Sequence, residues 1–371
     1  MAMATSNVLD KPAEIGSHEG VTDSVSNEED EKTSAIVTNG RYINPWTTWP
    51  SDHMTLKNVL KFRWQRQRSN LPHVEELDTT LPVLTPDFSE FSSPSSSAIR
   101  CTWIGHATLL VEIDGVTILT DPVFSSHCSP LPFVGPTRYR PPACTVSDLP
   151  ALDAVIISHS HYDHLDASSV RDLNRRFGKQ LHWYVPMGLK KWMLDAGCEN
   201  CVEMMWWNEI LLSEETSVKM VCLPCQHWSG RSMMDTNKTL WCSWAVLGPK
   251  NRFYFAGDTG YCEGFPQVGR HYGPFTLAAI PIGNYKPSWF LSPQHVSPAE
   301  AVQIHHDVRS QTSIGIHWGT FCMMSYEHYL EPKQDLEKAV ESSDMKGTSF
   351  ICLKHGEVRT FGDQSPLPAA N

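Results

Sequence analysis

The chain has 371 residues, 41% of them hydrophobic, enough for one large domain or two ordinary ones with a sizeable core. Its formal charge of −11 argues against non-specific gripping of nucleic acid, and no run of 18 apolar residues is present to span a bilayer. Eleven cysteines, an odd number in a chain of this length, read as mostly reduced thiols of a cytosolic protein. The N-terminus lacks the basic start and apolar stretch of a secretory signal, so no secretion is expected and the sequon Asn237-Lys-Thr239 carries no weight.

Residues 1–40 carry eight acids against two lysines and contribute −6 of the charge, leaving −5 for the remainder. With almost no aromatics they cannot bury enough apolar surface to offset chain entropy, so an acidic disordered tail is expected. Order is expected from Arg41-Tyr-Ile-Asn-Pro-Trp-Thr-Thr-Trp-Pro50, and residues 41–98 read as an N-terminal elaboration closed by the Ser/Pro stretch Ser92 to Ser97. Inside it, Leu56, Val59, Leu60 and Trp64 fall on one helical face while Lys57, Lys61, Arg63, Arg66 and Arg68 supply positive charge. A basic amphipathic segment over residues 54–68 reads as a membrane-surface element, with an ordinary docked helix as the plainer alternative.

From Ile99 strand follows strand. Cys101–Ile104 and Leu109–Ile113 lead to the Asp114-Gly115 turn, and Val116–Leu119 returns. Asp153–Ile157 is apolar and β-branched, a strand buried on both faces, and Asp166 is placed to cap a helix running to about Phe177. Further strands are expected at Leu181–Val185, Val218–Leu223, Trp241–Leu247, Phe253–Phe255, Leu277–Ile282, Ile314–Ile316 and Phe350–Leu353, with helices near Leu189–Ala196, Ala299–Asp307 and Gln334–Val340. Interleaved strands and helices indicate an α/β class with layered sheets, a single domain over residues 99–362, and a short C-terminal tail at 363–371.

Seven residues stand out as a ligand set for metal: His159, His161, Asp163, His164, His227, Asp258 and His317. Four lie in Ser158-His-Ser-His-Tyr-Asp-His-Leu165, and the other three each follow a separate apolar run. His159 and His161 share one face only if the chain is extended there, because two residues of helix would splay them by about 200°. Ligands at the C-terminal ends of core strands can converge on one sheet edge. Imidazoles with carboxylates suit zinc or a similar borderline metal. Two such ions about 3.5–4 Å apart generate a hydrolytic nucleophile and clamp a phosphorus or carbonyl centre.

His159-Ser-His-Tyr-Asp-His164 with His227, Asp258 and His317 resembles the metallo-β-lactamase superfamily, which implies a four-layered αββα sandwich. By that resemblance His159, His161 and His227 would hold one zinc ion, Asp163, His164 and His317 a second, and Asp258 would bridge them. The antibiotic-hydrolysing branch has Cys where this chain has Asp258, which points to the hydrolase and phosphodiesterase branches. Trp103-Ile-Gly-His-Ala-Thr108, Thr120-Asp-Pro122, Asn44-Pro-Trp46, Gly257-Asp-Thr-Gly-Tyr-Cys262, Ile280-Pro-Ile-Gly283, Gln294-His295 and Ile316-His-Trp-Gly-Thr-Phe321 narrow the resemblance to the N-acyl-phosphatidylethanolamine-hydrolysing phospholipases D. This implies cleavage of that membrane lipid to phosphatidic acid and an N-acylethanolamine. It also implies two zinc ions per chain, a homodimer, and a peripheral location on the cytosolic face of internal membranes such as Golgi or endosome. Asp163 and Asp258 would be catalytic, with Asp163 orienting the nucleophile. Tyr162, Gln294 and His295 would line the substrate side, and His106 and Asp121 would support the ligands from behind.

Trp206, Trp207, Trp228, Met233, Met234, Trp241 and Trp244 are expected either to line an acyl-chain groove or to fill the core. Cys198-x-x-Cys201 and Cys222-x-x-Cys225 formally match a four-thiolate zinc spacing, against which stands the placement of the second pair on the strand that delivers His227. The same metal set also serves nucleases and small-molecule lactonases of this superfamily. The acidic charge opposes a nucleic-acid partner. A membrane-associated scaffold on a dead hydrolase fold is the reading from another class, and the intact ligand set opposes it.

Overall fold

The computed structural model describes residues 32–50, 55–65, 71–92, 97–130, 135–232, 234–323 and 325–362. The tails 1–31 and 363–371, together with Met54, Arg66, Arg68 and Met233, lie outside the described residues. Within the segment expected to be a disordered tail, residues 36–38 form a strand instead. β1 (Ile36–Thr38) pairs antiparallel with β2 (Arg41–Ile43). Just before β1, Trp207 Nε1 donates to Thr33 O at 2.8 Å and the Thr33 amide donates to Gln267 Oε1 at 3.0 Å. Side-chain contacts from a distant turn and from the helix at Gly264–Tyr272 thus supply what the local composition lacks.

The segment read as an elaboration, 41–98, belongs to the main core, since Tyr42, Trp46, Leu77 and Leu81 sit in the same buried cluster as both sheets. It carries α1 (Leu56–Trp64) and α2 (Val74–Thr80). α1 is attached by Phe62, which stacks on Phe290 at 4.6 Å and Tyr326 at 5.7 Å, with Val59 beside it. Val59 therefore leaves the face assigned to it. Leu56, Leu60 and Trp64 point outward, 74%, 55% and 86% exposed.

The first sheet is built from β3 (Ile99–Gly105), β4 (Thr108–Ile113), β5 (Val116–Thr120), β6 (Ala154–Ile156), β7 (His182–Pro186) and β8 (Cys201–Met204), with α3 (Ala167–Phe177) and α4 (Lys190–Asp195) between the last three. The second sheet takes β9 (Glu209–Ser213), β10 (Val218–Leu223), β11 (Ser243–Leu247), β12 (Arg252–Phe255), β13 (Phe275–Pro281), β14 (Ser310–Ile316) and β15 (Ser349–Ile351). Interleaved with these are α5 (Gly264–Tyr272), α6 (Ser288–Leu291), α7 (Pro298–Asp307) and α8 (Glu331–Glu341). The last strand, β16 (Val358–Phe361), crosses back to pair with β3, giving the order β16-β3-β4-β5-β6-β7-β8 opposite β15-β14-β13-β12-β11-β10-β9.

Strand periodicity explains the layering. Cys101, Trp103, Leu109, Val111, Ile118 and Ile156 enter the cluster shared with the second sheet, whereas Ile104, Leu110, Leu119, Val155 and Ile157 pack under Val170 and Leu173 of α3 and Met193 of α4. Burial on both faces is why these strands read as continuous apolar runs. On the far side α7 covers β13 and β14 and packs against α5 and α8, which completes the expected four-layered sandwich. Sequence patterning misses α5, whose Gly264-Phe-Pro-Gln-Val-Gly269 is poor in helix formers. The glycine is needed for closeness: a Cβ on Gly269 would lie 1.8 Å from Asp307 O at the end of α7. Among the described residues no helix is long and apolar enough to cross a membrane.

Trp46 ties the N-terminal segment to the site-bearing loops. It is 7% exposed, and its Nε1 donates to Cys225 O at 3.1 Å, two residues before His227. Trp46→Ala is expected to lower the free energy of unfolding by about 3–5 kcal/mol. The check is the urea midpoint at unchanged slope, and a loss below about 1 kcal/mol would show that this segment does not support the core.

Candidate active site

Strand direction brings the candidate ligands together. β3 and β5 are both antiparallel to β4, and β6 is parallel to β5. β10 and β12 are both antiparallel to β11, with β13 and β14 parallel to β12. The C-terminal ends of β3, β5 and β6 therefore leave one end of the first sheet, and those of β10, β12 and β14 leave one end of the second. His106 and Asp121 directly follow β3 and β5, His159 lies just past β6, His227 and Asp258 lie just past β10 and β12, and His317 directly follows β14. Gly257, at φ +63°, makes the turn into Asp258; a Cβ there would lie 2.6 Å from Ser158 Cβ.

All seven candidate ligands meet. His161 Nδ1 lies 2.8 Å from His159 Nε2 and 3.2 Å from His227 Nε2. Beside this trio, Asp163 Oδ2 lies 3.5 Å from His164 Nε2 and 3.4 Å from His317 Nε2. Asp258 reaches both groups: Oδ2 is 3.1 Å from His164 Nε2, 3.8 Å from His227 Nε2 and 4.0 Å from His159 Nε2, and Oδ1 is 3.1 Å from His317 Nε2. Ligand atoms of His159, His161 and His227, of His106, Asp163, His164 and His317, and of Asp258, His295 and His317 are close enough to hold an ion.

The donor chemistry fits a metal. His227 Nδ1 donates to Gln294 O at 2.9 Å, His164 Nδ1 donates to Asp121 Oδ2 at 2.6 Å, and His159 Nδ1 donates to Ser158 Oγ at 2.9 Å, whose hydroxyl donates to Asp121 Oδ2. Each ring therefore turns its Nε2 to the centre. His164 Nε2, His317 Nε2 and Asp258 Oδ1 are buried and accept no hydrogen bond. Two tetrahedral nitrogen ligands on zinc lie about 3.3 Å apart, close to the separations in the histidine trio.

The supporting residues are placed as follows. His106 Nε2 lies 3.1 Å from Asp163 Oδ2, and Asp121 also accepts the Ser158 amide at 2.7 Å. Tyr162 is closer to a wall than to a reagent: its hydroxyl donates to Arg231 O at 2.9 Å and its ring lies under the Arg231 guanidinium at 4.0 Å. Gln294 is 5% exposed, with its side-chain oxygen taken by Trp228 Nε1 at 2.7 Å, so it fixes Trp228 and His227 from within. His295 Nδ1 is buried without a partner, 3.8 Å from Asp258 Oδ2.

Sequence reasoning misses Arg231 and Asn284, and it names Trp228 only among the residues expected in a groove or the core. Arg231 Nη1 donates to Ser160 O at 2.9 Å and Leu165 O at 2.7 Å, closing the loop that carries His161, Asp163 and His164. Trp228 packs its edge on His161 at 4.2 Å. The Trp and Met set does not form one groove: Trp206, Trp241 and Trp244 are core, while Met234 is 79% exposed. All eleven cysteines are free; Cys198 and Cys201 lie in the cluster beneath α3 and α4, Cys222 and Cys225 in the one between the sheets, and among the described residues none joins a metal grouping. Beside His317 opens a cleft whose walls include Tyr139, Asn284, Phe321 and Tyr326.

Comparison with known proteins agrees with this geometry. Residues 116–318 match the family model of the beta-lactamase superfamily domain. The chain is 42% identical over 348 residues to N-acyl-phosphatidylethanolamine-hydrolyzing phospholipase D 1 of Caenorhabditis elegans, covering 90% of this chain and 97% of that protein. It is 34% identical over 280 residues to the mitochondrial N-acyl-phosphatidylethanolamine-hydrolyzing phospholipase D of Saccharomyces cerevisiae, covering 74% and 59%. A solved metallo hydrolase of the archaeon Ignicoccus hospitalis superposes with a TM-score of 0.53 over 71% of this chain and 99% of that one, at 21% identity, a likeness of fold alone.

Without metal the two groups carry different charge. Burial, reinforced by neighbouring imidazoles, holds His159 and His227 well below the ordinary imidazole value, and burial brings His161 to about 4. At His164 burial opposes charge, but Asp258, Asp163 and Asp121 outweigh it and raise the ring well above its ordinary value; at His317 burial is likewise outweighed, by Asp258 and Asp163, to about 9. Protons there occupy the place a cation would take, so metal must displace them.

The pH dependence follows. Towards acid, below the ordinary 6.5, unfolding lets the neutral trio take up protons, so stability falls. Towards alkali, the contribution of His317 is complete below 6.5 and is lost as pH rises to about 9. Chelator-treated protein is expected to be most heat-stable near pH 6.5, and zinc-loaded protein to lose the alkaline decline. Scanning calorimetry across this range checks it; the same alkaline fall in both forms would refute metal–proton exchange at His164 and His317.

Proposed function

Because the chain belongs to the N-acyl-phosphatidylethanolamine-hydrolysing phospholipase D family of the metallo-β-lactamase superfamily, we propose that it is a zinc-dependent phosphodiesterase that hydrolyses N-acyl-phosphatidylethanolamine to phosphatidic acid and an N-acylethanolamine. The observation that carries this reading is Asp258, one carboxylate in reach of both imidazole groups. In this reading His159, His161 and His227 would hold one zinc ion, Asp163, His164 and His317 would hold the other, and Asp258 lies in reach of both groups. When bound, the ions activate water near neutral pH and neutralise charge developing on the phosphoryl oxygens.

The chain's own residues do the rest. Asp163, held by His106 at 3.1 Å, accepts a hydrogen bond from the attacking water and fixes its line of approach. The oxygen bonds to phosphorus, the phosphorus–oxygen bond to the ethanolamide breaks, and that oxygen leaves with a proton. Arg231 and Tyr162 keep the ligand-bearing loop in shape throughout.

The surface supports a lipid substrate. Leu56, Leu60 and Trp64 form an exposed apolar row beside Lys57, Lys61 and Arg63, as an interfacial helix requires. α1 also joins the cleft beside His317, because Tyr326 lines that cleft and its hydroxyl donates to Phe62 O at 2.9 Å. Free thiols throughout support a reducing, cytosol-facing location. Family resemblance alone supports the homodimer and a Golgi or endosomal membrane.

The decisive assay offers zinc-loaded protein N-acyl-phosphatidylethanolamine in mixed micelles. Phosphatidic acid and N-acylethanolamine are the expected products; no release, alongside cleavage of RNA or a lactone, overturns the substrate. Asp258→Asn is expected to abolish turnover, and full activity would remove the two-ion reading. Replacing Leu56, Leu60 and Trp64 together by Ala is expected to weaken co-sedimentation with anionic vesicles at least tenfold, at about 1.4 kcal/mol per decade. Unchanged sedimentation would dismiss α1 as the membrane contact.

A further inference from the structure

We propose that Asn284 is a positioning residue that keeps the single proton of His295 on Nδ1. His295 then acts as a hydrogen-bond donor to a phosphoryl oxygen and not as a metal ligand. The identity of the acceptor rests on the phosphodiesterase reading above; the proton's position does not.

The Asn284 amide locates that proton. On one side of the ring, Asn284 Nδ2 lies 2.9 Å from His295 Nε2. An amide nitrogen can only donate, so Nε2 accepts, and a neutral imidazole must then carry its hydrogen on Nδ1. On the other side, Nδ1 lies 3.8 Å from Asp258 Oδ2 and has no hydrogen-bond partner although the residue is 6% exposed. The rival role is real, because Asp258, His295 and His317 are close enough together to hold an ion. A ligand needs a bare nitrogen on the centre's side, and this tautomer has none there.

The backbone holds Asn284 in place for this task. It sits at φ 65°, in the left-handed region that Asn tolerates. Its amide donates to Glu327 Oε1 at 2.6 Å, and the Lys286 amide donates to Glu327 Oε2 at 3.2 Å, so one carboxyl pins the loop on both sides of Tyr285. A fixed N–H aimed at a site where phosphoryl charge develops is the arrangement that stabilises such charge.

The test is nitrogen NMR of the zinc-loaded full chain labelled at histidine, with the His295 signals identified by their loss in His295→Gln. Wild type is expected to show Nδ1 protonated and Nε2 as an acceptor, with Nδ1 shifting on addition of inorganic phosphate. Asn284→Asp replaces the donor by an acceptor and is expected to move the proton to Nε2 and abolish the phosphate-induced shift. It should lower kcat about 100-fold, with KM changed less than about threefold and zinc content unchanged. A wild-type His295 protonated on Nε2, or bound to zinc through Nδ1, overturns the proposal, as does an Asn284→Asp tautomer like that of wild type. A phosphate-insensitive Nδ1 overturns the donor role. Failure of the lipid assay with the tautomer as stated removes the substrate and leaves the control by Asn284 standing.

Discussion

The buried carboxylate of Asp121 is the contact on which both halves of the site depend. It takes the Nδ1 proton of His164 directly and orders His159 through the Ser158 hydroxyl, so one side chain turns an Nε2 of each group towards the centre. Its backbone is unusual too. Asp121, His106 and His317 all have positive φ, at 31°, 54° and 61°, a conformation that costs a non-glycine residue roughly 1–2 kcal/mol. Hydrogen bonds between the loops compensate: His317 N donates to His106 O at 3.0 Å, and His106 N donates to Thr320 Oγ1 at 2.8 Å. His106 and His317 are thus locked to one another across the two sheets.

Legibility in the sequence follows locality. The cap at Asp166 and the extent of α3 and β10 agree with the sequence reading, because capping and strand periodicity act within a few residues. The ligand string was visible for the same reason: an extended chain puts His159 and His161 on one side. The arrangement around it was not visible. Arg231 reaches back some 70 residues to close the loop, and Asn284 meets His295 only because the turn at Glu327 pins it. Neither contact leaves a periodic or compositional trace.

The outward turn of α1 was hidden by a similar cause. Helical spacing groups Leu56, Val59, Leu60 and Trp64, and says nothing of a single Phe62 that docks the helix from another side. Once Phe62 stacks on Phe290 and Tyr326 with Val59 beside it, Leu56, Leu60 and Trp64 are left facing outward. Lys61 Nζ, 4.1 Å above the Trp289 ring, extends this basic and apolar surface beyond α1. Large apolar residues exposed together beside a cleft are uncommon on monomeric soluble proteins and mark contact surfaces.

The order of the ligands along the chain has a consequence for biosynthesis. His159 to His164 leave the ribosome about 150 residues before His317. At typical elongation rates this is a delay of roughly 8–30 s. Throughout it the nascent chain displays a cluster of imidazoles and a carboxylate whose partner sheet is still incomplete. Any ion captured then would be held by half a site, open to exchange and to the wrong metal. The candidate ligand set is complete only once β14 has delivered His317.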